Sequence, residues 1–222
     1  GIGGKHLAPI LKYLSKKTLQ TQCKNALGVS YVTAKYLQKR YPPGVNTHVS
    51  FYSSIMLDES QINSQAKQYL SPVKKLIFIG SLDQLYKAPD ILLLSFAKLV
   101  NEDHDYHLTI LGTGKFKTEL IEFAKHLGIS ANVYFAGEVN SLEVIKYLQQ
   151  ADVFVLPSRT EGLPRAMIEA MAQGLPCIGS TAGGIPELLS DEYCIDIAQK
   201  SSLNSKLSNA QKNDEKESVK QL

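Results

Sequence analysis

The stretch DVFVLPSRTEGLPRAMIEAMAQGLPCIGS (residues 152–180) carries the pattern that decides the fold. It begins with a short run of Val, Phe and Leu and ends with a second apolar run, LPCIGS. Between them lies a helical pattern that Pro164 opens and Gly174 closes, which are the positions these residues favour in helices. A strand, a helix and a second strand joined by short loops predict one unit of a parallel sheet.

The same alternation extends through the chain from residue 75. Strands are predicted at KLIFIGS (75–81), HLTILG (107–112) and NVYFAG (132–137), and helices at 89–100, 116–127, 142–150 and 185–189. This order predicts an α/β fold with a doubly wound, Rossmann-like parallel sheet covered on both faces. Such sheets bind ligands outside the carboxyl ends of their strands. That rule predicts a site among the loops 81–88, 112–115, 137–140, 157–163 and 181–184.

Positive charge is concentrated at the start of the chain. The first acidic residue is Asp58, and eight basic residues precede it, all of them between positions 5 and 40. This block predicts an anionic partner, either a membrane surface or phosphates, or it forms a solvated face against the acidic remainder.

Several classes of protein are disfavoured by the composition. The three cysteines lack CxxC spacing and the five histidines lack metal-ligand spacing, so neither a disulfide framework nor a metal site is expected. No run of 18 apolar residues and no signal-peptide pattern occurs, which favours a cytoplasmic protein. GTGKFK (112–117) lacks the third glycine of GxGxxG, which makes a dinucleotide oxidoreductase a poor alternative. No partner nucleic acid is predicted.

Two glutamates accompany the helix that follows the fourth strand. Glu161 lies in the loop before it, and Glu169 lies inside it on the same face as Arg165. Arg165 and Glu169 fit an exposed ion pair, worth about 0.3 kcal/mol. Their position also fits a ligand site, because the N-terminus of a helix attracts phosphate and carboxylates accept hydrogen bonds from sugar hydroxyls. A ligand that fits this site has phosphate between groups that carry hydroxyls, and a nucleotide sugar is such a ligand.

At this point the sequence resembles a known family. Glu161 and Glu169 form an E-x7-E spacing, and residues 157–187 resemble the signature region of group 1 (family 4) glycosyltransferases. FIGSLDQLYKAPDILLLSFAKL (78–99) resembles their phosphate-binding segment, and VYFAGEV (133–139) resembles the loop that reads the base. The resemblance covers about residues 73–196. It implies a retaining enzyme of the GT-B fold that uses a UDP- or GDP-sugar as donor, without metal or other cofactor.

The resemblance assigns a role to individual residues. Glu161 is expected to bind the donor sugar and Lys87 the pyrophosphate, and these two are the candidate catalytic residues. The other candidate donor-binding residues are Glu169 (ribose hydroxyls), Val139 (nucleobase, through its backbone), Ser81, Gly162, Leu163 and Arg165. The family usually has arginine where this chain has Ser81, so one charge that neutralises the departing diphosphate is missing. Arg165 either supplies that charge or forms its ion pair.

The resemblance also implies a division of the chain. Residues 1–47 are expected to be the remnant of an N-terminal acceptor domain followed by a linker at 42–47, and residues 48–200 a donor-binding domain. Residues 201–222 are expected to form a polar tail, as a frayed helix or disordered. A strand near Val29 to Val32 is expected to lack pairing neighbours.

The interpretation is a fragment of a glycosyltransferase that transfers a hexose to a cell-surface polysaccharide or lipid-linked acceptor. The basic residues 5–40 suit a peripheral position at the inner membrane face. The fragment alone is expected to be inactive. A non-catalytic nucleotide-sugar-binding or assembly module is the alternative, and a GT-B epimerase is a third interpretation.

Overall fold

The computed structural model describes residues 4–53, 55–59, 62–63 and 73–197, with side chains from Pro9 onward. The chain divides into two compact units, Gly1–Ile55 and Met56–Leu222. The polar tail predicted at 201–222 lies outside the described residues.

The first unit contains two helices and two strands. Its elements are α1 (Gly4–Asn25), β1 (Gly28–Tyr31), α2 (Tyr36–Arg40) and β2 (His48–Phe51). β1 and β2 pair in parallel, with Val29 opposite Val49. Tyr31 is buried and its hydroxyl donates a 2.6 Å hydrogen bond to the carbonyl of Tyr41, which ties the end of α2 to β1.

One expectation for this unit is wrong. The strand predicted near Val29 to Val32 does not lack a neighbour, because β2 pairs with it. In the predicted linker at residues 42–47, the Thr47 hydroxyl donates to the carbonyl of Ala26 at 2.9 Å, and Gly44 packs on the carbonyl of Lys24. The connection from α2 to β2 is therefore anchored to the end of α1.

The pairing of β2 places His48–Phe51 in the first compact unit, which ends at Ile55. The identities expected of the two units, acceptor remnant and donor-binding domain, stay predictions.

The second unit is a six-stranded parallel sheet with helical crossovers. Its strands are β3 (Lys75–Ile79), β4 (His107–Leu111), β5 (Val133–Gly137), β6 (Val153–Leu156), β7 (Cys177–Ser180) and β8 (Cys194–Ile195). Its helices are α3 (Pro89–Glu102), α4 (Lys117–His126), α5 (Ser141–Gln150) and α6 (Arg165–Ala172). All strand pairs are parallel, in the order β5-β4-β3-β6-β7-β8. The doubly wound α/β fold is confirmed.

Burial explains why these segments form strands and helices. All four residues of β6 and all four of β7 are buried, as expected for strands covered on both faces. α3 buries Leu92, Leu93 and Phe96, which are spaced to lie on one helical face. α6 begins directly after Pro164 and ends before Gly174, whose φ of 69° is left-handed and closes the helix. The helix predicted at 185–189 is instead a short 3-10 turn, Ile185–Glu187.

The strand order creates a crevice at one position. From β3 the chain proceeds outward through β4 to β5, and it then returns to place β6 on the other side of β3. The loops that follow β3 and β6 consequently diverge at the carboxyl ends of two adjacent strands. Doubly wound sheets bind their ligands at this switch point.

Candidate functional site

Glu161 lies in the loop that leads from β6 to α6. Its carboxylate accepts a 2.9 Å hydrogen bond from the hydroxyl of Ser158, a fully buried residue at the start of this loop. Ser158 is itself fixed, because its carbonyl accepts a 2.6 Å bond from the Ser180 hydroxyl. Gly183, with a φ of 64°, packs directly on the carbonyl of Glu161 and has no room for a Cβ. The loop and its carboxylate are thus held by the end of β7 and the loop that follows it.

Lys87 reaches the same place from the other side of the crevice. It ends a short 3-10 turn, Leu85–Lys87, which joins β3 to α3. Its side-chain stem crosses Gly80, where a Cβ would collide with Cδ of Lys87. Its ammonium nitrogen lies 3.7 Å from Oε2 of Glu161, and the two side chains are only 13% and 11% exposed. The structure therefore brings together the two residues predicted to be catalytic.

The ring of Tyr86 completes this part of the site. The ammonium of Lys87 lies 5.7 Å from the centre of the ring, within the range of a cation–π contact. Burial raises the pKa of the Tyr86 phenol, and the nearby charge of Glu161 raises it further. Tyr86 accordingly stays a neutral phenol beside the charged pair.

Ser81 has an acidic neighbour. Its exposed hydroxyl lies 3.3 Å from a carboxylate oxygen of Asp83, and it accepts a hydrogen bond from the Asp83 backbone N–H. The same carboxylate accepts a bond from the backbone N–H of Lys115 at 3.1 Å. The position where the resembling enzymes carry an arginine thus carries a hydroxyl and a nearby negative charge.

Glu169 faces a pocket between α5 and α6. The pocket has a volume of about 160 Å³, and its lining is mostly apolar, with contributions from Met56, Leu57, Ser141, Val144, Ile145, Leu148 and Gln173. Burial raises the pKa of the Glu169 carboxyl, and the charge of Arg165 opposes that shift. Within the described residues, Glu169 is the one acidic side chain that lines this pocket.

The remaining predicted residues lie along the same loops. Arg165 is exposed at the first position of α6, and no carboxylate in the described part of the chain lies within ion-pair distance of it. Val139 follows β5 by two residues and packs partly against the core. Gly162 accepts a 2.7 Å hydrogen bond from the N–H of Gly184, and Leu163 beside it is half-buried.

Sequence reasoning missed Arg159. Its guanidinium binds Asp90 through two hydrogen bonds of 2.9 and 2.6 Å and also donates to the carbonyl of Leu85. The arginine precedes Glu161 by two residues and Asp90 follows Lys87 by three, so both lie beside the two predicted catalytic residues. The predicted site brought the two loops together, but nothing in the sequence indicated that Arg159 pairs with Asp90.

The geometry suits a ligand that carries negative charge and hydroxyl groups. The Lys87 ammonium supplies a positive charge at the edge of a water-restricted crevice, where it is worth more than in bulk water. The Glu161 carboxylate supplies acceptors for hydroxyl groups. Among the residues that the structure describes, no cluster of three or more His, Cys, Asp or Glu residues is arranged to hold a metal ion.

The family assignment follows from comparison with known proteins. The model of the family described as glycosyl transferases group 1 matches residues 60–220. The chain belongs to this family. It is 31% identical over 193 residues to Protein CapJ of Staphylococcus aureus, covering 86% of this chain and 47% of that protein. It is 31% identical over 185 residues to a GDP-mannose-dependent phosphatidylinositol monomannoside mannosyltransferase of Corynebacterium glutamicum, covering 80% and 46%.

Solved structures of glycosyltransferases share the fold. TarM superposes with a TM-score of 0.72 at 19% identity, over 90% of this chain and 40% of TarM. Anabaena HepE, solved with UDP and glucose, superposes with a TM-score of 0.68 at 18% identity, over 89% and 58%. The GT-B resemblance is thereby confirmed at the level of the fold. The chain spans just under half the length of these two curated relatives.

No helix within the described residues is both long enough and apolar enough to cross a membrane.

The environment of Glu169 generates a prediction about stability and pH. Because the folded pKa is raised above the unfolded value, the folded state binds this proton more tightly, and stability falls as pH rises through that interval. Glu169→Gln cannot ionise. We therefore expect a higher free energy of unfolding than the parent at pH 7, with the gain vanishing toward about pH 4, where the parent carboxyl is protonated.

Urea unfolding followed by circular dichroism between these pH values measures the effect. Glu138→Gln, at an exposed position in the loop after β5, is the matched control and should show no such gain. A Glu169→Gln protein that is equally stable or less stable at pH 7 would contradict the interpretation.

Proposed function

We propose that this chain is the nucleotide-sugar-binding part of a retaining glycosyltransferase of family 4. The donor is a UDP- or GDP-sugar, and the reaction transfers its hexose to a cell-surface polysaccharide or lipid-linked acceptor. The observation that carries the proposal is the meeting of Lys87 and Glu161, 3.7 Å apart, at the switch point between β3 and β6.

The two charges match two parts of such a donor. The ammonium of Lys87 neutralises the diphosphate as negative charge develops on it during departure. The carboxylate of Glu161 accepts hydrogen bonds from hydroxyl groups of the sugar. The two groups pair with each other within the protein, so the bound donor replaces one ion pair by two complementary contacts.

The nucleoside part of the donor is assigned to residues other than Lys87 and Glu161. The Glu169 carboxylate accepts hydrogen bonds from the two adjacent ribose hydroxyls, and the backbone of Val139 meets the base. Arg165, exposed at the start of α6, supplies the second positive charge toward the diphosphate, because Ser81 and Asp83 supply none. Gly162 and Leu163 present the backbone next to Glu161. No metal or other cofactor takes part.

The relatives support this choice of substrates. One uses GDP-mannose and acts on a phosphatidylinositol mannoside, which is a lipid acceptor, and the structure of HepE contains UDP and glucose. Because the chain spans just under half of its curated relatives, we expect residues 1–222 alone to bind donor without transferring sugar. The same fact keeps a non-catalytic nucleotide-sugar-binding module as the second candidate.

The first unit is proposed to contact an anionic membrane surface from the cytoplasmic side. α1 exposes the apolar residues Ile10, Leu11 and Leu14, which share one helical face, and it carries Lys12 and Lys16 on the other side. A helix of this kind lies in the interface of a bilayer and binds anionic lipids.

Calorimetry with a nucleoside, its diphosphate and a diphosphate sugar tests the assignment of the charged pair. Lys87→Ala removes a charge that only the diphosphate meets, so we expect its affinity for UDP or GDP to fall about tenfold or more, with nucleoside affinity unchanged. Glu161→Ala should abolish the preference for the diphosphate sugar over the diphosphate. Lys98→Ala, at an exposed lysine of α3, is the control. Unchanged diphosphate affinity in Lys87→Ala would refute the proposal.

Gly80→Ala tests the path of the lysine without removing its charge. The new Cβ would collide with Cδ of Lys87, and a flexible side chain yields more easily than backbone does. We therefore expect nearly parental thermal stability and a several-fold loss of diphosphate affinity. Parental affinity in a well-folded Gly80→Ala protein would show that the ammonium does not need this path.

Vesicle sedimentation tests the proposed membrane contact. We expect binding to phosphatidylcholine vesicles only when phosphatidylglycerol is included, with loss of binding at high salt because charges at a surface are screened. Charge reversal at Lys12 and Lys16 should abolish binding, whereas reversal at Lys98 should not. Equal binding to neutral vesicles would contradict an electrostatic contact.

A further inference from the structure

Arg159 connects the two loops that form the crevice. Its guanidinium holds the carboxylate of Asp90 through two parallel hydrogen bonds of 2.9 and 2.6 Å. One of its nitrogens also donates to the carbonyl of Leu85 at 2.5 Å. Its backbone N–H donates to the carbonyl of Tyr86 at 2.7 Å. Arg159, which follows β6, thus binds both the 3-10 turn that ends at Lys87 and the first turn of α3.

The turn that Arg159 holds is strained. Ala88, directly after Lys87, is buried and has a φ of 57°, which makes it the one non-glycine residue with positive φ in the described part of the chain. An alanine in this left-handed conformation is strained, because its Cβ comes close to the following carbonyl oxygen. Contacts from outside the turn must offset the strain at Ala88. Arg159 supplies such contacts to residues before and after Ala88 in the chain.

We propose that Arg159 is a positioning residue that fixes the turn so that Lys87 points across Gly80 toward Glu161. The inference rests on the proposed function, because the position of Lys87 matters only if its ammonium meets the donor diphosphate. Arg159 acts through the turn, since its guanidinium is engaged by Asp90 and by the Leu85 carbonyl.

The partial exposure of Arg159 and Asp90 indicates that Arg159 orients Lys87 and does more than stabilise the fold. The side chains of Arg159 and Asp90 are 38% and 29% exposed. A single ion pair with this much exposure to water is one contact among many that hold the second unit together. Loss of Arg159 should leave the protein folded, and the main effect should fall on the orientation of Lys87. Lysine is a poor substitute, because it cannot form the two parallel bonds that an arginine makes to a carboxylate.

The test compares diphosphate with nucleoside binding in Arg159→Gln, Arg159→Lys and Asp90→Asn. Calorimetry uses UDP against uridine and GDP against guanosine on residues 1–222. We expect diphosphate affinity to fall about threefold or more in each variant, and nucleoside affinity to stay unchanged. The loss should be smaller than in Lys87→Ala, because the ammonium of Lys87 is still present but is no longer held in place. Lys125→Gln, which breaks the exposed ion pair with Glu122, is the matched control and should change neither affinity.

The decisive measurement places Arg159→Gln in the Lys87→Ala background. If Arg159 acts through Lys87, the second substitution should cause no further loss of diphosphate affinity. A further loss of the same size as in the parent would overturn the inference, because Arg159 would then act on the ligand independently. Equal losses for nucleoside and diphosphate would also overturn it, by showing a general disturbance of the crevice.

Failure of the proposed function gives a different result. In that case Lys87→Ala binds the diphosphate as tightly as the parent does, whatever the Arg159 variants do. When Lys87→Ala loses diphosphate affinity and Arg159→Gln does not, only the positioning role is refuted.

Discussion

The parallel pairing of β3 with β6 is the constraint on which the site depends. Leu76 pairs with Val153 and Ile77 with Phe154, so two segments almost 80 residues apart in sequence lie side by side. The chain leaves β3 in one direction and β6 in the other, and their loops therefore open a crevice instead of closing over each other. Lys87 enters from one side, and Arg159 and Glu161 enter from the other. Without this pairing none of the contacts among them would exist.

The electrostatics of the crevice depend most on the pairing of Lys87 with Glu161. Lys87 is nearly buried and pairs with Glu161, which has a second partner in the hydroxyl of Ser158. A nearly buried charge needs such partners, because desolvation otherwise costs several kcal/mol. Asp83 adds negative charge beside Ser81. Under the proposed function, a diphosphate depends on Lys87 more strongly here than in a site that also contains an arginine at position 81.

The sequence predicted the elements of the second unit and the residues that lie in motifs. It did not predict individual side-chain contacts between residues far apart in the chain, or the strand β2. The strands and helices of the second unit were predictable because apolar runs and helical periodicity repeat from residue 75 onward. Lys87 and Glu161 were predictable because each lies in a recognisable motif. The bond between Arg159 and Asp90 was not, since it spans 69 residues and exists only through the β3–β6 pairing. β2 was missed because all four of its residues are exposed, so no burial pattern marks the strand.

The two glutamates of the E-x7-E spacing lie in opposite environments. Glu161 is matched by a lysine and a hydroxyl of the protein itself, so its carboxylate has partners of opposite charge and polarity within the chain. Glu169 faces a mostly apolar pocket, and its raised pKa shows that burial disfavours its charge in the folded protein. A carboxylate that opposes folding gains most from a ligand that donates hydrogen bonds to it. Adjacent hydroxyls of a ribose are such donors, and a phosphate is not, which is why the proposed function assigns the nucleoside to Glu169 and the diphosphate to Lys87.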